Sequence, residues 1–525
     1  MRYHRLVLSA IILVVLLASA VQATDWAMSR FGPDQSGFTP EKLSLPLAVK
    51  WQYATTKYDY NTVSPVVANG VCYFASENIF YAVDSQTGAL KWKYPKEKNL
   101  EGSIKGTPCV YNGNVYFGAG DRNIYCLTAD KGEIKWFQAT GGSVRCPPIV
   151  TNDGMLIVGS DDNTIQALDP ETGKTIWAKP FVCTDDVAPG FAVSGTILVA
   201  ASLDGSVYGI NLNNGKAKWS FRLPAITSNI SPVISGDLVI FSYASSLIGI
   251  SARSGQTKWK MILPSDVSVN PAVNGNELYV ACDNSKLYCY TLTTRDPISK
   301  WEKPVDLSIK PVTGPIITPD TAFIIGKNGV LSAYNLADGG LKWNYVFVES
   351  TSDIDLTQCN IKSQPTLANG AIYVMPTSGV LHCISNDAPD NEKPVTYGMY
   401  PNLEQPISGV PPITMSVTLS DTGSGIDFKS VILALDGSPL KYETDYKKSL
   451  VAYKVKATKT GLQTRLLEAG KHTLSVTAKD YFGNELVQSW DFNVDPSILP
   501  PTTTEDAGPQ SKQQQNQQNG NFPGN

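Results

Sequence analysis

Histidine is nearly absent from this sequence. The 525 residues contain only His4, His382 and His472, and the first of them belongs to an apolar leader. A histidine-rich zinc site or a histidine-based triad therefore has almost nothing from which to form. We assign no catalytic residue and no metal ligand.

Charge is also scarce, since Asp, Glu, Lys and Arg make up 17% of the residues and the formal net charge is -4. Nucleic-acid partners attract clustered basic side chains, so we expect no nucleic acid to bind. The hydrophobic fraction of 42%, with 42 Gly and 34 Pro, excludes a disordered chain, a coiled coil and a collagen. This composition favours an all-β protein.

Long apolar runs are absent except at the start of the chain. Arg2 and Arg5 precede an apolar run from Leu6 to Ala20, and small residues follow as far as Ala23. This pattern predicts a signal peptide over 1–23, because the run is shorter than the roughly 20 residues of a membrane-spanning helix. We expect an exported protein, periplasmic or secreted, with no membrane span after signal removal. No cysteine lies near the cleavage site, so we expect no lipid anchor.

Nine cysteines occur, an odd number, and none of them is adjacent to another or forms a Cys-x-x-Cys pair. Export would permit disulfides, but the spacing leaves their connectivity open. No Cys-x-x-Cys-His haem attachment site is present either.

A repeat dominates what the sequence does contain. Eight tryptophans recur about every 42 residues, which is a repeat signal: Trp51, Trp92, Trp136, Trp177, Trp219, Trp259, Trp301 and Trp343. A second series of eight prolines keeps nearly the same step: Pro65, Pro108, Pro148, Pro189, Pro232, Pro271, Pro315 and Pro365. Each period holds four short β-rich runs separated by turn residues, and helical periodicity is absent. Four strands in such a period are typical of a propeller blade.

The repeat therefore predicts an eight-bladed β-propeller of four-stranded blades over 24–388. The eighth copy stops before any tryptophan strand, whereas Trp51 precedes the first proline. We predict that Ala48–Tyr53 supplies the last strand of blade eight and so closes the ring. A polar insertion at Glu349–Asp353 is a candidate recognition loop.

A motif links the small residue, the turn and the tryptophan of each period. Ala82, Gly88 and Trp92 are spaced as small-x5-Gly-x3-Trp, and the first position is small in every copy. This resembles the tryptophan-docking motif of the PQQ-like propeller family, and Asp25–Gly37 resembles the segment that opens that family's repeats. The resemblance implies that the eight tryptophans are structural docking residues between blades.

The same resemblance implies two possible functions. Quinoprotein dehydrogenases of this group hold PQQ and calcium beside an adjacent Cys-Cys pair, which this sequence lacks, so we carry over no site residue and expect no cofactor. The propeller subunit of the outer-membrane β-barrel assembly machinery is also similar, although its lipidated cysteine is missing here. We therefore predict an exported non-catalytic scaffold for an unknown protein partner in the cell envelope. The alternative is a PQQ- and calcium-dependent quinoprotein dehydrogenase.

The pattern changes after Ala388, where prolines cluster and period-two strands follow. These runs resemble the bacterial Ig-like modules and predict a linker and Ig-like sandwich over 389–496. Asp421, Asp427 and Asp480 offer the oxygen ligands that calcium needs, but their spacing is not an EF-hand loop and such residues are common in turns. Calcium binding by this module stays open, and we assign no metal site. The Gln/Asn-rich residues 497–525 are expected to be disordered.

Overall fold

The computed structural model describes residues 24–500 except 56–62, 224–230, 308, 328, 348–359, 447–448 and 457–465. The described residues form ten antiparallel sheets and contain no α-helix, so the predicted all-β class is confirmed. Accordingly, no helix in these ranges is long and apolar enough to cross a membrane. The predicted signal peptide, the insertion at 349–353 and nearly all of the predicted tail lie outside the described residues.

Eight sheets, here called the repeat sheets, follow one another up to Ser385. The first strand along the chain, β1 (Ala48–Ala54), belongs to the eighth sheet. The first four sheets are β2 (Val66–Ala68), β3 (Val71–Ser76), β4 (Ile79–Asp84) and β5 (Leu90–Tyr94); β6 (Cys109–Tyr111), β7 (Asn114–Gly118), β8 (Asn123–Thr128) and β9 (Ile134–Ala139); β10 (Ile149–Val150), β11 (Leu156–Gly159), β12 (Thr164–Leu168) and β13 (Phe181–Val182); and β14 (Ala192–Ser194), β15 (Ile197–Ala201), β16 (Ser206–Asn211) and β17 (Lys216–Arg222).

The remaining repeat sheets keep this order. They are β18 (Val233–Ser235), β19 (Leu238–Tyr243), β20 (Ser246–Ser251) and β21 (Thr257–Ile262); β22 (Ala272–Asn274), β23 (Glu277–Cys282), β24 (Lys286–Thr291), β25 (Ile298–Ser299) and β26 (Val305–Asp306); β27 (Ile316–Ile317), β28 (Thr321–Gly326), β29 (Val330–Asn335) and β30 (Leu341–Val346); and β31 (Thr366–Ala368), β32 (Ala371–Val374) and β33 (Val380–Ser385) with β1. The middle strands of most repeat sheets are almost continuously buried, which explains their short, unbroken apolar runs.

The eighth sheet joins the two ends of the repeat region. β1 pairs antiparallel with β33, and Trp51 lies opposite Cys383. Strand β2 of the first sheet contacts both β6 and β31, and the Thr366 hydroxyl donates a 2.5 Å hydrogen bond to the Pro65 carbonyl. The predicted pairing of Ala48–Tyr53 with the eighth repeat is therefore present.

The third and sixth sheets depart from the expected pattern at their outer edge. We expected each tryptophan to lie on the last strand, but Trp177 and Trp301 lie outside any strand, before β13 and between β25 and β26. A proline stands three residues after each of them, at Pro180 and Pro304. Proline has no N–H to donate to a strand ladder, so only a two-residue strand forms beyond it.

Two further sheets, here called the C-terminal sheets, follow the repeats. One has the order β34 (Val395–Tyr400), β35 (Ile413–Ser420), β39 (Leu450–Val455), β38 (Glu443–Asp445), and the other β37 (Ser438–Pro439), β36 (Ile426–Leu435), β40 (Gly470–Asp480), β41 (Glu485–Val494). Buried side chains from both sheets, including Val417, Leu433, Val451 and Phe492, form one apolar cluster. This cluster is separate from the cores of the repeat sheets.

Candidate functional site

The tryptophans connect neighbouring repeat sheets in a regular way. In five cases the indole N–H donates to a backbone carbonyl in the turn before the last strand of the next sheet. These bonds are Trp51 to Ser85 (3.1 Å), Trp92 to Ala129 (2.9 Å), Trp136 to Pro170 (2.9 Å), Trp177 to Leu212 (2.6 Å) and Trp219 to Ala252 (2.7 Å). Each bond satisfies an indole donor that docking removes from water.

A glycine follows each acceptor by three residues and lies against the same indole. Gly132, for example, has φ +66° in the turn that receives Trp92, and a Cβ there would collide with the indole ring. Only glycine meets both requirements without strain. The same contact recurs at Gly88, Gly173, Gly215 and Gly255.

The small first position of the motif lies directly opposite the tryptophan within its own sheet. The register pairs Ala82 with Trp92 and Gly209 with Trp219, and a β-bulge follows each pair. A Cβ at Gly209 would collide with the Trp219 indole. Cys126 and Cys383 occupy the same position opposite Trp136 and Trp51. These cysteines are buried, as expected of small space-filling residues.

Two tryptophans have lost the regular contact. The indole N–H of Trp259 is buried and has no acceptor among the described residues, because the sixth repeat lacks the glycine turn that would supply one. Trp301 is partly exposed and packs against Tyr279 at 5.9 Å between ring centroids. Val305, beyond Pro304, lies against Gly339 in its place.

Trp343, in contrast, docks on the C-terminal sheets. It is fully buried, and its indole N–H donates a 3.0 Å hydrogen bond to the carbonyl of Ser424. The last strand of the eighth sheet is β1, from the other end of the chain, so no repeat turn follows β33 to receive this indole. The turn Asp421–Gly425 takes that place.

Other bonds surround this contact. The Tyr481 hydroxyl donates to the Asn344 side-chain oxygen at 2.6 Å, and the Val49 N–H donates to the Gly423 carbonyl at 3.1 Å. Strands β30 and β1 of the repeat sheets therefore both bond to the C-terminal sheets. We call this contact region the junction.

Three buried carboxylates lie behind the junction turn. One oxygen from each of Asp390, Asp421 and Asp480 lies within 4.8 Å of the others. Burial raises the pKa of Asp421 to about 6, and the charges of Asp390 and Asp480 act in the same direction. The hydrogen bond from the Gly425 N–H acts in the opposite direction and lowers this pKa. Of the three acidic residues noted in the sequence, Asp421 and Asp480 come together, Asp427 stays outside the group, and Asp390 was missed.

The segment 24–41 lies across the first strands of most repeat sheets. Backbone bonds of 2.8 to 3.0 Å join Trp26 to Val67, Ala27 to Val110, Pro33 to Val193, Asp34 to Ile234, Ser36 to Val273 and Thr39 to Ile317. The Glu41 carboxylate accepts bonds from the N–H groups of Asn369 and Gly370 in the eighth sheet. Arg30 is buried in this segment and donates to the carbonyls of Gln35 and Pro271. This segment therefore links most of the repeat sheets to one another through backbone hydrogen bonds.

The described residues offer little for nucleophilic chemistry. All eight described cysteines are free and buried. Burial raises the pKa of Cys109 and Cys146 to about 12, so these thiols stay protonated at neutral pH and are poor nucleophiles. His382 is buried beside Gln52, and His472 pairs with Asp436 at 2.7 Å. Within the described ranges, neither histidine bonds to a serine or cysteine side chain.

Exposed apolar side chains occur along the outer edge of the repeat sheets. Phe137 on β9 and Val182 on β13 are 60% and 68% exposed, and Ile134 and Ile176 are also exposed nearby in the chain. The second and third sheets are neighbours, joined by the Trp136 to Pro170 bond. Exposed apolar side chains such as these are suited to contact with a protein partner.

Comparison with known proteins gives a family match over most of the chain. A family profile described as outer membrane protein assembly factor BamB matches residues 47–179, 75–294, 147–343 and 203–410. The outer membrane protein assembly factor BamB of Shewanella oneidensis is 22% identical over 355 residues, which cover 62% of this chain and 85% of that protein.

Similarity also extends to proteins with enzyme names. The tetrathionate hydrolase of Acidithiobacillus ferrooxidans is 24% identical over 216 residues, which cover 35% of this chain and 42% of the hydrolase, so the match spans less than half of that relative. A solved quinohemoprotein alcohol dehydrogenase from Pseudomonas putida HK5 aligns with a TM-score of 0.53 at 13% identity, covering 72% of this chain and 83% of that one. At this identity the likeness shows the fold alone.

Proposed function

Because this chain belongs to the PQQ-like propeller family of outer membrane protein assembly factor BamB, we propose that it is a non-catalytic propeller scaffold that binds a partner protein in the cell envelope. The name of these relatives associates them with the assembly of outer membrane proteins. We propose that the partner of this chain is a protein. We propose no cofactor for this role.

We further propose that the eight repeat sheets are the eight blades of one closed propeller over 24–388, and that the C-terminal sheets form an Ig-like sandwich over 389–496. The contacts of β2 with both β6 and β31 support closure. The indole hydrogen bonds support a docking role for six of the eight tryptophans, namely Trp51, Trp92, Trp136, Trp177, Trp219 and Trp343, and for Trp259 and Trp301 the role rests on the repeat alone. The single core shared by two four-stranded sheets supports the sandwich.

The observation that carries the proposed function is the exposure of apolar side chains on the last strands of the second and third sheets. Burying Phe137 and Val182 against a partner would remove apolar area from water, which is the main favourable term in protein association. Aromatic side chains are also enriched among the residues that dominate binding energy. We call Phe137 and Val182, with Ile134 and Ile176, the rim patch.

We also propose that the protein is exported through a signal peptide over 1–23 and acts without a lipid anchor, either in the periplasm or in the medium. The leader pattern supports export.

Capture from a cell-envelope extract tests the binding role. Purified full-length protein is compared with the double variant Phe137→Ser, Val182→Ser and with the control Ile262→Ser, whose side chain is 76% exposed on the fifth sheet. We expect wild type and Ile262→Ser to retain the same protein and the rim variant to lose it. Equal capture by all three would contradict the rim patch as the binding surface.

Cofactor reconstitution tests the competing quinoprotein role. Protein mixed with PQQ and calcium is assayed for a quinone absorbance and for reduction of a dye by alcohols or sugars. We expect neither signal. A bound quinone together with alcohol-dependent dye reduction would overturn the non-catalytic assignment.

A further inference from the structure

The three carboxylates behind the junction turn come from separate parts of the chain. Asp390 lies between β33 and β34, Asp421 directly follows β35, and Asp480 ends β40. They are 7%, 5% and 2% exposed, and no cationic side chain among the described residues pairs with any of them. Burying three carboxylates together without a counter-charge is strongly unfavourable.

Backbone groups satisfy only part of this cluster. Asp421 Oδ2 accepts hydrogen bonds from the N–H groups of Gly423 (3.1 Å) and Gly425 (2.7 Å), and Asp390 Oδ2 accepts one from Ser424 (2.7 Å). Asp480 accepts two from Asn484, at 2.9 and 2.7 Å. These bonds hold the carboxylates in place without neutralising their charge.

Two oxygen atoms of the turn Asp421–Gly425 have no hydrogen-bond partner among the described residues. Asp421 Oδ1 and the hydroxyl of Ser424 are both buried, and neither makes a hydrogen bond to any described residue. Ser424 is fully buried, and its own N–H is bonded to Asp390. Because buried polar atoms in folded proteins almost always have partners, these two oxygens are available to a ligand.

We propose that Asp390, Asp421 and Asp480 bind a calcium ion. Calcium takes six to eight oxygen ligands at about 2.3–2.6 Å, so two oxygens on one ion lie at most about 5 Å apart. The 4.8 Å limit on the three carboxylate oxygens meets this requirement. The cluster holds no nitrogen or sulfur ligand, which argues against zinc. Two of the three ligands, Asp390 and Asp421, lie in loops and not in a rigid octahedral cage, which favours calcium over magnesium.

The ion would act on the junction. Ser424, whose N–H bonds to Asp390, also accepts the indole N–H of Trp343 through its carbonyl. A small cavity between β30 and this turn is lined by Asn344, Asp421 and Gly425, and of the three carboxylates it adjoins Asp421 alone. Calcium binding therefore stiffens the turn on which the seventh repeat sheet docks, and couples the two parts of the chain.

The test uses full-length protein stripped with a chelator. Calcium is titrated by calorimetry, and terbium binding is followed by luminescence sensitised by nearby aromatic rings such as Trp343. We expect one saturable site, release of terbium by excess calcium, and a higher melting temperature with calcium. The variant Asp421→Asn is expected to weaken binding by more than about 100-fold, because affinity follows ligand charge.

The matched control is Asp427→Asn, which changes a carboxylate in the same stretch but outside the cluster and is expected to bind calcium as wild type does. Asp390→Asn provides a second cluster variant in case Asp421→Asn fails to fold, and it should lose binding as well. The proposal is overturned if the wild type shows neither a heat of calcium binding nor terbium luminescence. It is also overturned if Asp421→Asn raises the melting temperature while calcium leaves the melting temperature of the wild type unchanged. Equal displacement of terbium by magnesium would overturn the choice of calcium.

Discussion

The indole N–H of Trp343 donates a 3.0 Å hydrogen bond to the carbonyl of Ser424, 81 residues further along the chain. The corresponding tryptophans of five other repeat sheets donate to the turn of the next sheet, so this bond continues the series onto a different structural unit. The C-terminal sheets thus supply a turn that the eighth repeat lacks. They are attached to the repeat sheets through specific bonds as well as by the connecting chain.

Replacing Trp343 by alanine should destabilise the protein by about 3 to 5 kcal/mol, the usual cost of removing a buried tryptophan. It should also uncouple the C-terminal sheets, because the junction loses its central contact. Urea denaturation followed by fluorescence, with limited proteolysis of the C-terminal part, measures both effects. Trp301→Ala is the control, since that indole is partly exposed, and it should cost less and leave the C-terminal part protected. Equal losses in the two variants would contradict this role of Trp343.

A comparison of Trp177 with Trp259 separates the contribution of the indole hydrogen bond to stability from the contribution of burial. Their side chains are 4% and 2% exposed, but only Trp177 has an acceptor, the Leu212 carbonyl at 2.6 Å. Replacement by phenylalanine should therefore cost about 1 kcal/mol more at Trp177 than at Trp259, the typical net contribution of one hydrogen bond. Urea midpoints of the two variants test this difference. A larger loss for Trp259→Phe would show that the indole bond contributes little.

His382 makes the pairing of β1 with β33 sensitive to acid. Burial lowers its pKa to about 4, and its ring lies beside Gln52 and the edge of Phe347. The unfolded chain protonates near pH 6.5 and the folded one near pH 4, so stability falls as the pH drops through this window. The loss from this residue should reach about 2 kcal/mol at pH 5 and about 3 kcal/mol at pH 4.

The variant His382→Gln isolates this contribution, because glutamine is neutral at every pH and can still bond to Gln52. The difference in unfolding free energy between wild type and variant should shift in favour of the variant by about 2 kcal/mol between pH 7.5 and pH 5. Comparing the two proteins cancels the opposite effect of Asp421, whose pKa is raised. A difference that does not change with pH would refute the prediction.

The tryptophan spacing predicted the repeat sheets and the pairing of β1, because the period fixes which strands face each other. The short last strands of the third and sixth sheets were not predicted. The pattern Trp-x-Lys-Pro at Trp177 and Trp301 indicates them, because the proline interrupts the strand. The partner of Trp343 could not be found from the sequence, since Ser424 lies in a segment with a different period. Asp390 was missed for a similar reason: it joins Asp421 and Asp480 only after three distant segments fold together.

The most direct test of the scaffold proposal is site-specific photocrosslinking in cells that produce the full-length protein. A photoreactive residue is placed in turn at Phe137, Val182 and Ile262, and the adducts are identified by mass spectrometry. We expect positions 137 and 182 to yield the same adduct with one envelope protein and position 262 to yield none. No adduct at 137 and 182, or the same adduct from all three positions, would contradict the scaffold proposal.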